Sequence, residues 1–115
     1  MRLQQIDNKN FESFIAEARA AVILFYATWE NYHPRMQKDL EQLSSQLGGI
    51  KFGQIDVDKA PETVRALRLL NVPAIGYFRE GRLEELRIGT EQGKKIEERI
   101  NRCFQVGDSK EGVAT

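Results

Sequence analysis

Apolar residues recur every three or four positions in four stretches of the chain, which is the spacing of one buried face of an α-helix. The four stripes consist of Phe11, Phe14, Ile15 and Ala18; Met36, Leu40, Leu43 and Leu47; Val64, Leu67 and Leu70; and Ile96, Ile100 and Phe104. The first helix is predicted over residues 8–19, with Asn8 or Asn10 as its N-cap. Gly48-Gly49 is expected to end the second helix, and Pro61 suits the first turn of the third.

Between these helices lie segments of strand length with a different pattern. The four segments are residues 21–26, 50–57, 74–79 and 83–88, with residues 3–6 as a candidate short edge strand. The first is a continuous apolar run, which is typical of a central strand covered by helices on both faces. The last two are joined through Glu80-Gly81, which predicts an antiparallel hairpin.

The alternation of strands and helices predicts an α/β fold, because crossover helices connect parallel strands. The closing hairpin adds antiparallel strands to the same sheet. We therefore expect a three-layer domain over residues 1–104, with a mixed central sheet of four or five strands and helices on both faces. Residues 105–115 are mostly polar and are expected to form a flexible C-terminal tail.

The charge of the chain is balanced, with 17 Lys and Arg against 17 Asp and Glu. Basic and acidic residues are interspersed, as in residues 94–99, which is typical of solvated faces. A net charge near zero gives no electrostatic case for nucleic acid or an anionic membrane as a partner.

The first seven residues lack an apolar leader segment, and the longest apolar run, residues 20–27, is too short to span a bilayer. We expect a cytoplasmic protein on these grounds. The single cysteine, Cys103, excludes an internal disulfide and a metal site built on a cysteine pair.

Four segments of the chain resemble the thioredoxin family in residues, order and spacing. They are Phe25-Tyr26-Ala27-Thr28-Trp29, residues 55–61, Asn71-Val72-Pro73-Ala74, and residues 78–82 followed by Ile88-Gly89. The resemblance covers about residues 8–104 and implies a thioredoxin-like fold. It also implies that Trp29 precedes the position of the family's Cys-Gly-Pro-Cys motif, and that Pro73 corresponds to the family's cis-proline.

The family's redox motif falls, without gaps, on four residues that include no cysteine: Glu30, Asn31, Tyr32 and His33. The family's buried acid falls on Leu24. Dithiol exchange needs a thiolate that attacks a disulfide sulfur and a second thiol that resolves the mixed disulfide. Since Glu30 and His33 supply no thiol, we expect no dithiol–disulfide oxidoreductase chemistry and assign no catalytic residue.

Glu30 and His33 also suggest a metal site or an acid–base pair, because residues three apart share one face of a helix. Two ligands are fewer than a zinc site needs, so we predict no metal and no cofactor. The residue before a proline avoids the α region. We therefore expect the second helix to begin at Pro34, with His33 just outside it and Glu30 interacting favourably with the helix dipole.

The lone Cys103 stands one residue before Phe104 in the last predicted helix. A cysteine in such a place is most often a small buried hydrophobe. The alternative is a working thiol in a weak thiol–disulfide redox protein, and the sequence does not decide between a buried and a reactive thiol.

The thioredoxin-like fold is expected to be kept, while the residues of the redox motif are replaced. This combination predicts a non-catalytic module of adaptor or chaperone type that binds a protein or an extended peptide segment. The candidate binding groove consists of Trp29, Tyr32, Val72, Pro73 and Gly89. If Pro73 is cis, the strand before it can offer backbone groups to an extended partner. We expect a monomer or a weak homodimer.

Overall fold

The structure is a computed structural model that describes residues 3–104, in which five strands, four α-helices and one 3₁₀ turn occur. The strands are β1 (Gln4–Ile6), β2 (Ala20–Tyr26), β3 (Ile50–Asp56), β4 (Ala74–Arg79) and β5 (Arg82–Ile88). The helices are α1 (Phe11–Ala16), α2 (His33–Gln46), α3 (Pro61–Leu67) and α4 (Gly93–Phe104), and the 3₁₀ turn is Val57–Lys59. The predicted tail at residues 105–115 lies outside the described residues.

The strands form one sheet in the order β1-β3-β2-β4-β5. β1 and β2 are parallel to β3, whereas β4 is antiparallel to both β2 and β5. The predicted mixed sheet is confirmed, with the candidate edge strand as its fifth member. The register pairs Tyr26 with Asp56 and Phe25 with Ala74, so the end of β2, the end of β3 and the start of β4 meet at one edge of the sheet.

The hydrophobic core has two layers, one on each face of the sheet. Residues from α2 and α4 pack on one face with Leu24, and residues from α1 and α3 pack on the other with Phe25. All seven residues of β2 are buried, as a strand between two helical layers requires. No helix among residues 3–104 is long and apolar enough to cross a membrane.

The first helix is shorter than predicted, because a polar turn occupies its expected first residues. The Asp7 carboxylate accepts hydrogen bonds from the backbone N–H groups of Lys9 and Asn10. Asn10 is the N-cap residue of α1, but its side chain accepts from the N–H of Asp7 and not from the helix. Asn8 instead accepts from the backbone N–H of Thr63, at 3.0 Å, and satisfies an amide at the start of α3.

Leu70 was expected on the inner face of the third helix, and this expectation is wrong. α3 ends at Leu67, and Arg68 adopts the left-handed conformation with φ 54° and ψ 42°. This residue breaks the helical repeat, so Leu69 is buried while Leu70 is 86% exposed. The hairpin prediction is confirmed, since Glu80 and Gly81 both have positive φ, as in a two-residue hairpin turn.

Replacing Arg68 with Gly should stabilise the protein, because a left-handed residue with a Cβ is strained by about 1 kcal/mol. We expect Arg68→Gly to raise the free energy of unfolding, measured by urea denaturation. Arg65→Gly is the matched control, since the same substitution inside α3 should lower it by about 1 kcal/mol. Equal destabilisation by both variants would contradict the assigned conformation of Arg68.

Candidate functional site

The residues predicted to form the site lie together at the edge where β2, β3 and β4 meet. Residues 27–33 follow β2, Val72-Pro73 precedes β4, and Gly89 follows β5. The Val72–Pro73 peptide bond is cis. The backbone N–H of Gly89 donates to the carbonyl of Pro73 at 2.8 Å, which joins the segment after β5 to the proline loop.

Glu30 caps the start of α2 with its side chain. Its Oε1 accepts from the backbone N–H of Tyr32 at 2.7 Å and from that of His33 at 3.0 Å. The first amides of a helix have no partner within the helix, and a carboxylate there also interacts favourably with the helix dipole. This cap accounts for the start of α2 at His33, one residue before the predicted start at Pro34.

The second carboxylate oxygen of Glu30 faces His33. Glu30 Oε2 and His33 Nδ1 are 3.0 Å apart, within ion-pair distance, although the two atoms are not aligned as a hydrogen bond and have no other polar partner among residues 3–104. The His33 ring stacks on Tyr26 with centroids 4.8 Å apart, and the Tyr26 hydroxyl contacts the amide of Gln5. The Glu30–His33 pair therefore joins the two ends of the turn formed by residues 30–33.

The surroundings of this pair are apolar on the side of the core and already hydrogen-bonded at the start of α2. Leu24 lies fully buried in the apolar layer under α2 and carries no proton to relay. The two amides that a helix N-terminus would offer to an anion are already occupied by Glu30. Within residues 3–104, no group of three or more His, Cys, Asp or Glu side chains is placed to hold a metal ion.

Trp29 is fixed at one edge and exposed over the rest of its surface. Its Nε1 donates to Asp58 Oδ2 at 2.9 Å, and the Asp58 N–H is itself bound by the Asp56 carboxylate at 3.0 Å. The side chain remains 66% exposed. Asp58 is a functional contact that the sequence reasoning missed, because its partner lies 29 positions away.

Other large apolar side chains are exposed in the segments that follow β2, precede β4 and end β5. Tyr32 is 63% exposed, and Leu70 and Ile88 are also exposed. A cavity of about 200 Å³ is lined by Trp29, Leu70 and Val72, together with Val57, Val64, Leu69 and Asn71. We name as the binding face the residues Trp29, Tyr32, Leu70, Val72, Pro73, Ile88 and Gly89.

A second cavity of about 490 Å³ lies beside Tyr32, on the other flank of the binding face. It is lined by Asn31, Tyr32, Arg35, Met36 and Asp39 from the turn and α2, and by Thr90, Glu91 and Gln92 from the loop before α4. The sequence reasoning placed Gly89 in the candidate groove but did not include residues 90–92, since nothing in their residue types marks them as part of a site.

Cys103 lies on α4, partly buried against the core layer formed by α2 and α4. Its Sγ donates to Glu85 Oε1 at 3.6 Å. Burial and the neighbouring Glu85 raise the pKa of the Cys103 thiol to about 11. The thiol therefore stays protonated at neutral pH and is a poor nucleophile.

The sequence profile of the thioredoxin family matches residues 2–102. The chain belongs to the thioredoxin family. Thioredoxin of Bacillus subtilis (strain 168) is 28% identical over 94 residues, which cover 79% of this chain and 90% of that protein. Thioredoxin of Listeria monocytogenes serovar 1/2a is 26% identical over 101 residues, which cover 87% of this chain and 97% of that protein.

Solved thioredoxin structures have the same fold as this thioredoxin-family chain. Mitochondrial thioredoxin 3 of Saccharomyces cerevisiae superposes with a TM-score of 0.80 at 26% identity, covering 87% of this chain and 94% of that one. A mutant thioredoxin of Halobacterium salinarum NRC-1 superposes with a TM-score of 0.82 at 19% identity, covering 88% and 89%. The likeness covers most of each chain.

Removing the Glu30 side chain should destabilise this thioredoxin-family domain, because two amides and His33 lose a buried, charged partner. We expect Glu30→Ala to lower the free energy of unfolding by about 1–3 kcal/mol, measured by urea denaturation. Glu62→Ala is the control, since Glu62 is exposed in the first turn of α3 and its loss should cost less than about 1 kcal/mol. Equal losses in both variants would contradict the buried cap.

Proposed function

We propose that this thioredoxin-family protein binds an extended segment of another protein and carries out no thiol–disulfide exchange. The observation that carries the proposal is the cluster of exposed apolar residues around a turn closed by Glu30 and His33. The proposed role is that of an adaptor or a chaperone-type module. The single cysteine allows no internal disulfide, which suits action in the reducing cytoplasm, and the protein is taken as a monomer or a weak homodimer.

The distribution of exposed apolar side chains supports this role. Among residues 3–104, five large hydrophobic side chains are exposed, namely Trp29, Tyr32, Leu70, Leu83 and Ile88. Four of these five belong to the binding face, and only Leu83 lies elsewhere, next to the hairpin turn. Clustered exposed apolar residues mark interaction sites, whereas single ones are common on any surface.

The residue types at the centre of the binding face also suit a protein partner. Tryptophan and tyrosine are enriched among the residues that dominate binding energy at interfaces. The hydrogen bond to Asp58 holds the Trp29 ring in place before binding, which reduces the entropy lost when a partner docks.

Backbone pairing beside Pro73 gives an extended segment a second means of attachment. The backbone N–H of Val72 donates to the side-chain Oδ1 of Asn71 at 2.8 Å, and Asn71 is exposed. A partner strand that pairs with Val72 would replace this hydrogen bond with one of its own, so the amide would not lose a partner. Strand addition of this kind needs no sulfur chemistry.

Substitution of Trp29 should weaken binding far more than substitution of an exposed apolar residue outside the binding face. Peptides selected on the wild-type protein from a random displayed library serve as probes, with affinity measured by fluorescence anisotropy. We expect Trp29→Ala to raise Kd by about tenfold or more. Leu83→Ala, the matched control, should change Kd by less than about twofold. Selection of no peptide, or equal effects of the two variants, would refute the proposed face.

A reduction assay on a disulfide-bonded protein substrate tests the absence of redox activity. We expect the wild type and Cys103→Ser to show only background rates beside an authentic thioredoxin. The physical reason is that residues 30 and 33 carry no thiol and that the raised pKa keeps Cys103 protonated. Reduction by the wild type that is lost in Cys103→Ser would instead establish the alternative of a weak redox protein.

A further inference from the structure

A network of charges ties the loop between β5 and α4 to the side of α4. The Arg99 guanidinium contacts Glu91 through Nε at 3.3 Å and through Nη2 at 2.5 Å, and a third nitrogen contacts Glu85. Arg87 Nε also lies 3.5 Å from Glu91. The Glu91 side chain is only 8% exposed and that of Arg99 14%.

This arrangement differs from the surface ion pairs of the chain. Lys95 and Glu98 are 3.8 Å apart and both mostly exposed, and such pairs contribute little to structure. Arg99, by contrast, donates hydrogen bonds to Glu91 from two nitrogens. This bidentate geometry fixes the orientation of the two side chains as well as their distance. The hydrogen bond to Glu91 raises the pKa of Arg99, so the guanidinium remains charged.

The loop that Arg99 holds is part of the wall of the proposed site. Its first residue, Gly89, donates its N–H to the Pro73 carbonyl at 2.8 Å. Its next residues, Thr90 and Glu91, line the cavity beside Tyr32. The loop is thus attached at one end to the proline loop and in its middle to α4. Loss of Arg99 would leave it held by the Gly89–Pro73 hydrogen bond and by the contact of the half-exposed Arg87 with Glu91.

We propose that Arg99 is a positioning residue that fixes the loop of residues 89–92 against Pro73 and so sets the shape of the binding face. The inference rests on the proposed function. The described polar contacts of Arg99 are with Glu85 and Glu91, neither of which belongs to the binding face, and it acts through Glu91. This role differs from general stabilisation of the domain, because loss of Arg99 is then expected to change only the part of the site formed by residues 89–92.

Arg99→Met tests the proposal, with Arg102→Met as the matched control. Arg102 carries the same charge and contacts Glu85 at 3.0 Å, but its described contacts do not include Glu91. The first readout is hydrogen exchange of the Gly89 amide by NMR. The second is Kd for the peptides selected on the wild type. The Glu80 amide, bonded to the Arg19 carbonyl at 3.0 Å beside the hairpin turn, reports opening of the structure away from this loop.

In Arg99→Met we expect Gly89 exchange to accelerate by about tenfold or more with Glu80 exchange unchanged, and Kd to rise by about three- to tenfold. Arg102→Met should change each by less than about twofold. If Glu80 exchange accelerates as much as Gly89 exchange, the destabilisation is not confined to the loop of residues 89–92. Glu91→Gln then carries the test, since it removes the carboxylate and keeps Arg99 with Glu85.

Unchanged Gly89 exchange in both Arg99→Met and Glu91→Gln would overturn the proposal. Faster Gly89 exchange with unchanged Kd would overturn it too, because the loop would then be held by Arg99 without shaping the site. If no peptide binds the wild type, the proposed function fails by itself. The Gly89 exchange result then decides alone whether Arg99 holds the loop.

Discussion

The complete burial of β2 is the constraint on which the rest of this molecule depends. A strand with apolar side chains on both faces is stable only between two helical layers and between two neighbouring strands, and β2 has all four of these neighbours. Its position fixes where the chain emerges after Tyr26. The turn that carries Trp29, Glu30 and His33 therefore starts from a rigid point, beside the ends of β3 and β4. Local chemistry in the turn can vary while its position stays the same.

Glu30 shows how a different side chain in the turn after β2 is accommodated. A carboxylate that lies out of solvent is costly unless it is paired and hydrogen-bonded. Glu30 meets this requirement with two backbone amides and the imidazole of His33, all within its own turn. The cost of burying the charge is offset without help from the core, where Leu24 lies in a fully apolar layer. A fully apolar layer around Leu24 and a carboxylate–imidazole pair in the turn after β2 are thus compatible in one structure.

The sequence predicts the fold well because the deciding signals are local. The apolar run of β2, the helical stripes of α2 and α4 and the Glu80-Gly81 turn each show in neighbouring residues. The predictions are wrong or incomplete where residues distant in the sequence determine the local structure. Nothing near Arg68 indicates a left-handed residue, since arginine is not the usual residue there, and Leu70 was therefore assigned to the wrong environment. Likewise, the contacts of Trp29 with Asp58 and of Arg99 with Glu91 depend on tertiary structure. Of the site, the sequence identifies Trp29 and Pro73 but not the residues that hold them.

The turn at residues 30–33 also bears on how a complex formed on the proposed binding face would dissociate. A thiol at the first motif position allows a partner to be held by a covalent bond, and such a complex lasts until a second thiol or a reductant breaks it. Residue 30 is a glutamate and supplies no sulfur for such a bond, so a complex on the proposed face would be held at this turn by non-covalent contacts. Its lifetime is then the reciprocal of a dissociation rate constant, which is set by the contacts of side chains such as Trp29 and Tyr32. Under the proposed function, a partner would leave by thermal dissociation, at a rate that does not depend on the redox potential of its surroundings.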